Sequence, residues 1–156
     1  YQLFEETCYK DIAFGPKNMG LDEAEIDKRV HEAAAFVGLD EALLERSPFE
    51  LSGGQKRRVA VAGVMAMKPR ILVLDEPAAG LNPSERREFV DILRKVYDSG
   101  IDLFLIEHNM DVVMNLSHRI TVLNFGCKIA EGTPEEIQHD PQVVKAYLGD
   151  RFRTEE

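Results

Sequence analysis

The stretch LSGGQ at residues 51–55 has the composition of an anion-binding helix start, and a basic turn, KRR, follows it at 56–58. Ser52 can cap a helix, and two glycines, Gly53 and Gly54, leave backbone N–H groups unshielded at the positive end of the helix dipole. The ordinary alternative is a glycine-rich helix start with a solvated basic turn. The stretch on its own leaves both interpretations open.

Two adjacent carboxylates, Asp75 and Glu76, follow the apolar run ILVL at 71–74. A buried strand that ends in two carboxylates presents them at the carboxyl edge of a sheet, where α/β proteins bind ligands. Asp75 suits Mg²⁺, which takes one or two carboxylates together with phosphate oxygens. Glu76 can polarise an attacking water as a general base. An exposed acidic turn after a core strand is the ordinary alternative for a lone Asp-Glu pair.

A histidine, His108, follows the next apolar run at 101–106, after Glu107. An imidazole at that place can hydrogen-bond a terminal phosphate and so report its presence. For a histidine taken alone, a structural or surface role is the favoured interpretation.

The strands and helices that must position these residues predict an α/β protein. The runs 71–74 and 101–106 are of strand length and predict strands buried on both faces. Two further strands are predicted at 119–125 and 128–130, joined at Gly126. Helix and strand patterns alternate in the second half of the chain, which is typical of a parallel sheet.

The predicted helices begin at residues that can cap them. One helix covers 22–37 and ends at Gly38, and another begins at Ser52 and stops before Pro69. Further helix starts are predicted at Asn82-Pro83, Thr133-Pro134 and Asp140-Pro141. The first 50 residues are therefore predicted to be helical and the remainder α/β.

Composition excludes several classes of protein. The 156 residues include 19 Lys and Arg against 28 Asp and Glu, a net charge of −9, which disfavours sequence-independent nucleic-acid binding. No apolar run approaches the roughly 20 residues that cross a bilayer, and no leader peptide is visible. The two cysteines have neither disulfide-framework nor zinc spacing, which predicts a reducing, intracellular compartment. Because the chain opens with Tyr1, we expect an excised or processed fragment.

Taken in this order and spacing, the motifs resemble those of the ATP-binding cassette (ABC) ATPases over nearly the whole chain. LSGGQ is similar to the signature motif of that family, and ILVLDE at 71–76 to its Walker B strand with the catalytic glutamate. AGLN at 79–82 is similar to the D-loop. His108 matches the switch histidine, and Gln2 matches the Q-loop glutamine.

The resemblance implies a P-loop NTPase fold that is present in part, as a helical subdomain plus the Walker B half of the parallel sheet core. We expect two domains. Residues 1–68 would hold the Q-loop, the helical subdomain and the signature helix. Residues 69–156 would hold the Walker B half of the nucleotide-binding core with the C-terminal helices.

The two halves of the chain resemble different subfamilies. FEET at 4–7, IAFGP at 12–16 and the stretch 49–77 look like the ATPases of energy-coupling factor importers, which serve vitamins and transition metals. From residue 78 onward, with IEHNM at 106–110 and IAEGTP at 129–134, the chain looks like the ATPases of branched-chain amino-acid importers. A hybrid of the two leaves the transported substrate open.

The resemblance also implies a role for each site residue. Two cassettes of the family pair head to tail, with each ATP between one P-loop and the other subunit's signature motif. Glu76 would be the general base, and His108 would fix the terminal phosphate. Asp75 would hold Mg²⁺, and Gln2 would touch both Mg²⁺ and the attacking water. The residues expected to bind the nucleotide are Ser52, Gly53, Gly54, Gln55 and Asn82.

The phosphate-binding pattern G-x-x-x-x-G-K-[ST] does not occur in the 156 residues. In the family it precedes the Q-loop. We therefore expect the isolated chain to bind nucleotide weakly, to be inactive alone, and to expose sheet edges that another chain or a rearrangement covers.

The first functional hypothesis is an enzyme, the ATP-binding subunit of an importer, which uses ATP and Mg²⁺. Its expected partners are a second cassette and the transmembrane permease subunits that contact the helical subdomain, with no nucleic acid. Its expected location is the cytoplasmic face of the membrane. The alternative is a truncated, non-catalytic cassette that binds a full-length cassette or a membrane subunit. An inert fold fragment is a third possibility.

Overall fold

The structure, a computed structural model, describes residues 3–148. The chain divides into two compact units, residues 1–107 and 108–156. The predicted boundary after residue 68 stays a prediction. The elements of the first unit are α1 (Cys8–Asn18), α2 (Glu23–Phe36), α3 (Gly53–Met65), β1 (Ile71–Asp75), α4 (Pro83–Asp98) and β2 (Asp102–Ile106). Those of the second are α5 (Met110–Leu116), β3 (Ile120–Asn124), β4 (Cys127–Gly132), α6 (Pro134–His139) and α7 (Pro141–Leu148).

Helices α1, α2 and α3 pack against one another and form what we call the helical cluster. Ile12, Val30 and Val59, one from each helix, are fully buried. Gly15 lets α1 approach the end of α3, because a Cβ at this position would lie only 2.6 Å from Cγ of Met67. The prediction of a helical first part is confirmed.

Capping contacts start and end these helices where the sequence predicts. The Asp22 carboxylate accepts a hydrogen bond from the backbone N–H of Glu25 at 2.9 Å and starts α2. Gly38 follows α2 with φ +67°, a left-handed conformation that ends a helix. Helix α1 carries Pro16 within its last turns.

Strands β1 and β2 form a parallel pair in which Val73 lies opposite Phe104 and Asp75 opposite Ile106. We call them the strand pair. The prediction that they are buried on both faces is wrong, since Val73 is 61% and Phe104 59% exposed. Strands become buried on both faces only where a layer packs on each. On the other face Leu72 is buried, so the packing within the first unit covers one side.

Helix α4 begins where Asn82-Pro83 predicts and ends before Gly100, which has φ +89°. The N-terminus of α4 is a complete capping box, because the side chains of Asn82 and Glu85 each accept a hydrogen bond from the backbone N–H of the other residue. Its buried face holds Phe89, Val90, Ile92, Leu93 and Val96.

The second unit is built on an antiparallel hairpin of β3 and β4. Phe125 and Gly126 form its turn with φ +46° and +77°, and so short a connection can join only antiparallel strands. The predicted parallel arrangement therefore holds for β1 and β2 but not for β3 and β4. Val122, Ile137 and Val143 make the small core of this unit.

The starts of the two closing helices are confirmed. Thr133 and Glu136 form a capping box at α6, and the Asp140 carboxylate accepts from the backbone N–H of Gln142 at 2.8 Å at α7. No helix within residues 3–148 combines the length and the hydropathy that a membrane span requires.

Candidate functional site

The LSGGQ stretch forms the start of α3, as the sequence predicts. The Ser52 hydroxyl accepts from the backbone N–H of Gln55 at 3.2 Å, and the Gln55 side chain accepts from the backbone N–H of Ser52 at 3.0 Å. Gly53 is exposed, and a Cβ there would have open space around it. A ligand can therefore approach the positive end of α3 closely.

Gly54 brings the start of α3 against the start of α4. A Cβ at Gly54 would lie 3.3 Å from Oε1 of Glu85, and Oε2 of Glu85 accepts from the backbone N–H of Asn82 at 3.1 Å. The cavity between the two helices measures about 90 Å³, well below the roughly 300–1,000 Å³ of ligand pockets. The described contacts of the first unit therefore do not enclose a pocket of ligand size at the start of α3.

Two arginines of the basic turn, Arg57 and Arg58, contact other elements of the first unit, and the anion-binding role of this stretch stays a prediction. Arg57 donates to the backbone carbonyl of Ala79. Burial lowers the pKa of Arg57, and the charge of Glu107 opposes that shift. Arg58 donates to the carbonyl of Val37 at 2.6 Å and to the Glu88 carboxylate at 2.7 Å, so this side chain links α3 to α2 and α4.

The paired carboxylates lie at the carboxyl end of β1, where the sequence predicts them. Asp75 and Glu76 are both exposed. The backbone N–H of Glu76 donates to the carbonyl of Ile106 at 2.8 Å, and Glu76 has φ +44°. A left-handed conformation costs a non-glycine residue about 1–3 kcal/mol and is often found at functional sites.

Asn82, predicted to contact nucleotide, is occupied as a helix cap. Its side-chain oxygen accepts from the backbone N–H groups of Ser84 and Glu85 at 2.9 and 3.0 Å. These two hydrogen bonds of the Asn82 side chain fix the point at which the chain enters α4.

Glu107 was assigned no role by the sequence patterns, and the structure gives it one. Its Oε1 accepts from the backbone N–H of Ala78 at 2.8 Å. The available signal was its place at the end of a strand that runs parallel to β1. Arg57 was likewise missed, because the carbonyl that it contacts is 22 residues away in sequence.

Two predicted site residues, His108 and Gln2, are not among the residues whose contacts are described above. His108 is exposed and begins the second unit, next to Asn109, which caps α5 by accepting from the backbone N–H of Val112 at 3.3 Å. Gln2 lies outside the described residues. The roles predicted for both stay predictions.

The donor set at the end of β1 fits Mg²⁺. Two exposed carboxylates, those of Asp75 and Glu76, follow one another in the sequence at this strand end, and carboxylate oxygens are ligands that Mg²⁺ accepts together with phosphate oxygens. Within residues 3–148, His, Cys, Asp and Glu side chains do not gather in threes or more in a way that could hold a metal ion.

Comparison with known families places these residues in context. The family model described as "ABC transporter" matches residues 2–79, and that described as "Branched-chain amino acid ATP-binding cassette transporter" matches residues 127–153. The resemblance to the ABC ATPases is thereby confirmed, and the resemblance to the branched-chain subfamily is confirmed over residues 127–153.

Among curated relatives, the chain is 50% identical over 138 residues to the energy-coupling factor transporter ATP-binding protein EcfA2 of Caldanaerobacter subterraneus subsp. tengcongensis, covering 88% of this chain and 48% of the relative. It is 50% identical over 149 residues to EcfA2 of Streptococcus pyogenes serotype M3, covering 95% and 53%. The chain therefore spans about half the length of these relatives.

Two solved structures share the fold. One is cbiO1 from Clostridium perfringens, part of the ABC transporter complex cbiONQ, with a TM-score of 0.81 and 38% identity over 97% of this chain and 60% of that one. The other is MJ1267, an ATP-binding cassette of an ABC transporter, with a TM-score of 0.83 and 28% identity over 93% and 64%. The chain belongs to the ABC transporter family, in the P-loop NTPase fold of its ATP-binding cassettes.

Proposed function

We propose that this chain is the part of an importer's ATP-binding subunit that carries the signature motif, the D-loop and the Walker B acids, and that the whole subunit couples ATP hydrolysis to the uptake of a small solute. The supporting observation is Glu76, an exposed carboxylate at the end of β1 in a left-handed conformation. It is joined through a short loop to Asn82, whose capping partner Glu85 lies against Gly54.

Five predicted site residues of the first unit have a role in the proposed hydrolysis. The N–H groups of Gly53 and Gly54 and the hydroxyl of Ser52 bind phosphate oxygens of a nucleotide held by the partner cassette, favoured by the dipole of α3. Glu76 accepts the proton of the attacking water. Asp75 holds Mg²⁺. Bound ATP and Mg²⁺ supply the phosphoryl group and neutralise the charge on its oxygens.

Two further predicted residues complete the proposal: His108, at the start of the second unit, and Gln2, which lies outside the described residues. The imidazole of His108 hydrogen-bonds the terminal phosphate, and Gln2 orients the attacking water and touches Mg²⁺. Gln55 and Asn82 act mainly through the helix starts that they cap.

We assign the cargo first to the energy-coupling factor class, which serves vitamins and transition metals. The similarity to EcfA2 proteins reaches 95% of this chain, whereas the branched-chain model matches only 127–153. A branched-chain amino acid is the second candidate cargo.

The proposed partners are a second cassette and the membrane permease subunits, which places the working subunit on the cytoplasmic face of the membrane. The helical part of the first unit offers a contact surface. Phe4 and Phe14 stack edge to face with ring centroids 4.8 Å apart, and they are 51% and 37% exposed. The net charge of −9 supports the absence of a nucleic-acid partner.

Hydrolysis is tested in a completed cassette, in which the N-terminal nucleotide-binding segment of an EcfA2 relative precedes residues 1–156. Glu76→Gln should lower the ATPase rate about 10²–10⁴-fold, the usual contribution of a general base, while ATP binding is retained. Asp102→Asn, an exposed carboxylate at the opposite end of the strand pair, is the matched control. An unchanged rate in Glu76→Gln would remove Glu76 from the base role.

A second candidate function is a non-catalytic cassette that binds a full-length one. One observation favours it: the cavity at the start of α3 measures only about 90 Å³, well below the size of an ordinary ligand pocket. Excess isolated chain, mixed with the complete cassette, should then change the ATPase rate of that cassette. No change in rate, together with no Mg-ATP-dependent shift in the melting of the chain, would favour an inert fragment.

A further inference from the structure

A short loop, residues 76–82, links the acidic end of β1 to the cap of α4, and we call it the connecting loop. Its backbone turns tightly. The N–H of Ala79 donates to the carbonyl of Glu76 at 3.1 Å, the N–H of Leu81 donates to that of Ala78 at 3.2 Å, and Gly80 has φ +74°. Its conformation therefore decides how Glu76 is presented.

Two charged side chains from different elements hold the middle of this loop. On one side the Glu107 carboxylate, just beyond β2, accepts from the N–H of Ala78 at 2.8 Å. On the other side the Arg57 guanidinium, from α3, donates to the carbonyl of Ala79. Hydrogen bonds with one ionised partner are roughly twice as strong as neutral ones.

The charges of the two side chains also support each other. Arg57 is half-buried, which disfavours an isolated charge, and the negative charge of Glu107 favours its ionised form. The two ends of the Ala78–Ala79 segment are thus held by groups of opposite sign that lie within electrostatic reach of one another.

We propose that Arg57 and Glu107 are positioning residues that clamp the connecting loop, and thereby tie the start of α3 to the orientation of Glu76. This rests on the function proposed above. The clamp explains how an unfavourable left-handed conformation is maintained at Glu76, since such conformations persist only where the surroundings over-determine them. The clamp also connects α3, which begins at the signature motif, to Glu76, the proposed general base of the same chain.

The clamp is tested first without nucleotide, in the isotopically labelled 156-residue chain. A scalar coupling across the hydrogen bond between the Ala78 nitrogen and the Glu107 carboxyl carbon should be detected by NMR in the unsubstituted chain. Its absence would overturn the clamp. This measurement needs no variant and so does not depend on how a substituted chain folds.

Hydrogen exchange then compares three variants. Glu107→Ala should speed exchange of the Ala78 amide about tenfold, because an amide that loses its acceptor loses the protection of that bond. Glu107→Gln keeps an acceptor oxygen and should restore most of the protection. Asp102→Ala, at the other end of β2, is the matched control and should leave the rate unchanged. Equal rates in Glu107→Ala and the unsubstituted chain would overturn the proposal.

The kinetic test uses the completed cassette. Arg57→Gln and Glu107→Ala should each lower kcat about tenfold with KM for ATP changed less than about twofold, since a misplaced base affects the transition state more than substrate binding. Lys56→Gln removes the same charge from the same turn and is the control. An unchanged kcat in both clamp variants would overturn the proposal.

The two proposals fail differently. If Glu76→Gln leaves hydrolysis unchanged, the role of Glu76 as base is wrong, while the coupling and exchange at Ala78 still report whether the clamp exists. If the exchange rate of the Ala78 amide is the same in Glu107→Ala as in the unsubstituted chain, the clamp is wrong, whatever the ATPase rate of Glu76→Gln.

Discussion

The helical cluster and the strand pair differ in how completely their apolar residues are buried. Ile12, Val30 and Val59 of the cluster are fully buried, whereas Ile71, Val73 and Phe104 of the strand pair are 59–61% exposed. Both regions have the composition of a protein core. The difference teaches that a helix trio can complete its own core, while parallel strands depend on the layers packed against them.

The largest expected effect comes from one chemical change made in both regions. Ile12→Ala should lower the free energy of unfolding by about 2–5 kcal/mol, the usual cost of removing a buried isoleucine side chain. Ile71→Ala, at the exposed face, should cost less than about 1 kcal/mol. Urea denaturation of the two variants measures both values. Equal costs would show that Ile71 is buried in solution and would break the comparison.

Close packing in the helical cluster predicts a smaller effect for glycine substitutions. Gly15→Ala should be destabilising by about 1–3 kcal/mol, because its Cβ would overlap Met67 and force α1 and α3 apart. Gly53→Ala meets open space and should be neutral or slightly stabilising, since alanine is the better helix former. Thermal melting of this pair distinguishes them. A stable Gly15→Ala variant would mean that Met67 moves aside freely.

Helix caps predict a cost of about 1 kcal/mol that does not depend on burial. Ser52→Ala removes the acceptor for the Gln55 amide and should lower the free energy of unfolding by about that amount. Ser84→Ala, exposed in the first turn of α4, is the matched control and should change little. Chemical denaturation of both variants provides the measurement, and equal losses would show that the cap contributes nothing specific.

The smallest perturbation uses the two cysteines as probes. Burial, and secondarily the charge of Asp11, raises the pKa of the Cys8 thiol, so little thiolate forms at neutral pH. Cys127 is exposed in the hairpin. An alkylating reagent at neutral pH should therefore modify Cys127 alone, as read by mass spectrometry, and Cys127→Ser should abolish labelling of the native chain. Rapid labelling of Cys8 would show that the helical cluster opens readily.

Local signals explain what could be predicted from the sequence. The starts of α2, α3, α4 and α6 rest on contacts between residues three apart, as at Asp22 and Glu25 or Ser52 and Gln55. Such contacts can be predicted from the residue types at two positions that lie three apart in the sequence. The motif order in the same way predicted the family and the place of Asp75 and Glu76 at a strand end.

Long-range contacts explain what could not be predicted. The hydrogen bonds of Arg57 to Ala79 and of Ala78 to Glu107 join residues 22 and 29 apart in sequence, and no periodicity marks them. The sequence carries no signal for the left-handed conformation of Glu76 either, because glutamate does not favour that conformation. The bounds of α1 were not predicted, since Gly15 and Pro16 read as helix breakers.

The backbone at Glu76 sets stability against activity at one residue. Glycine adopts φ +44° without steric cost, so a search for more heat-resistant variants would tend to recover glycine at position 76. Each such variant would lack the carboxylate proposed to take the proton from water. Engineering of this cassette for durability should therefore hold position 76 fixed and seek its gains elsewhere.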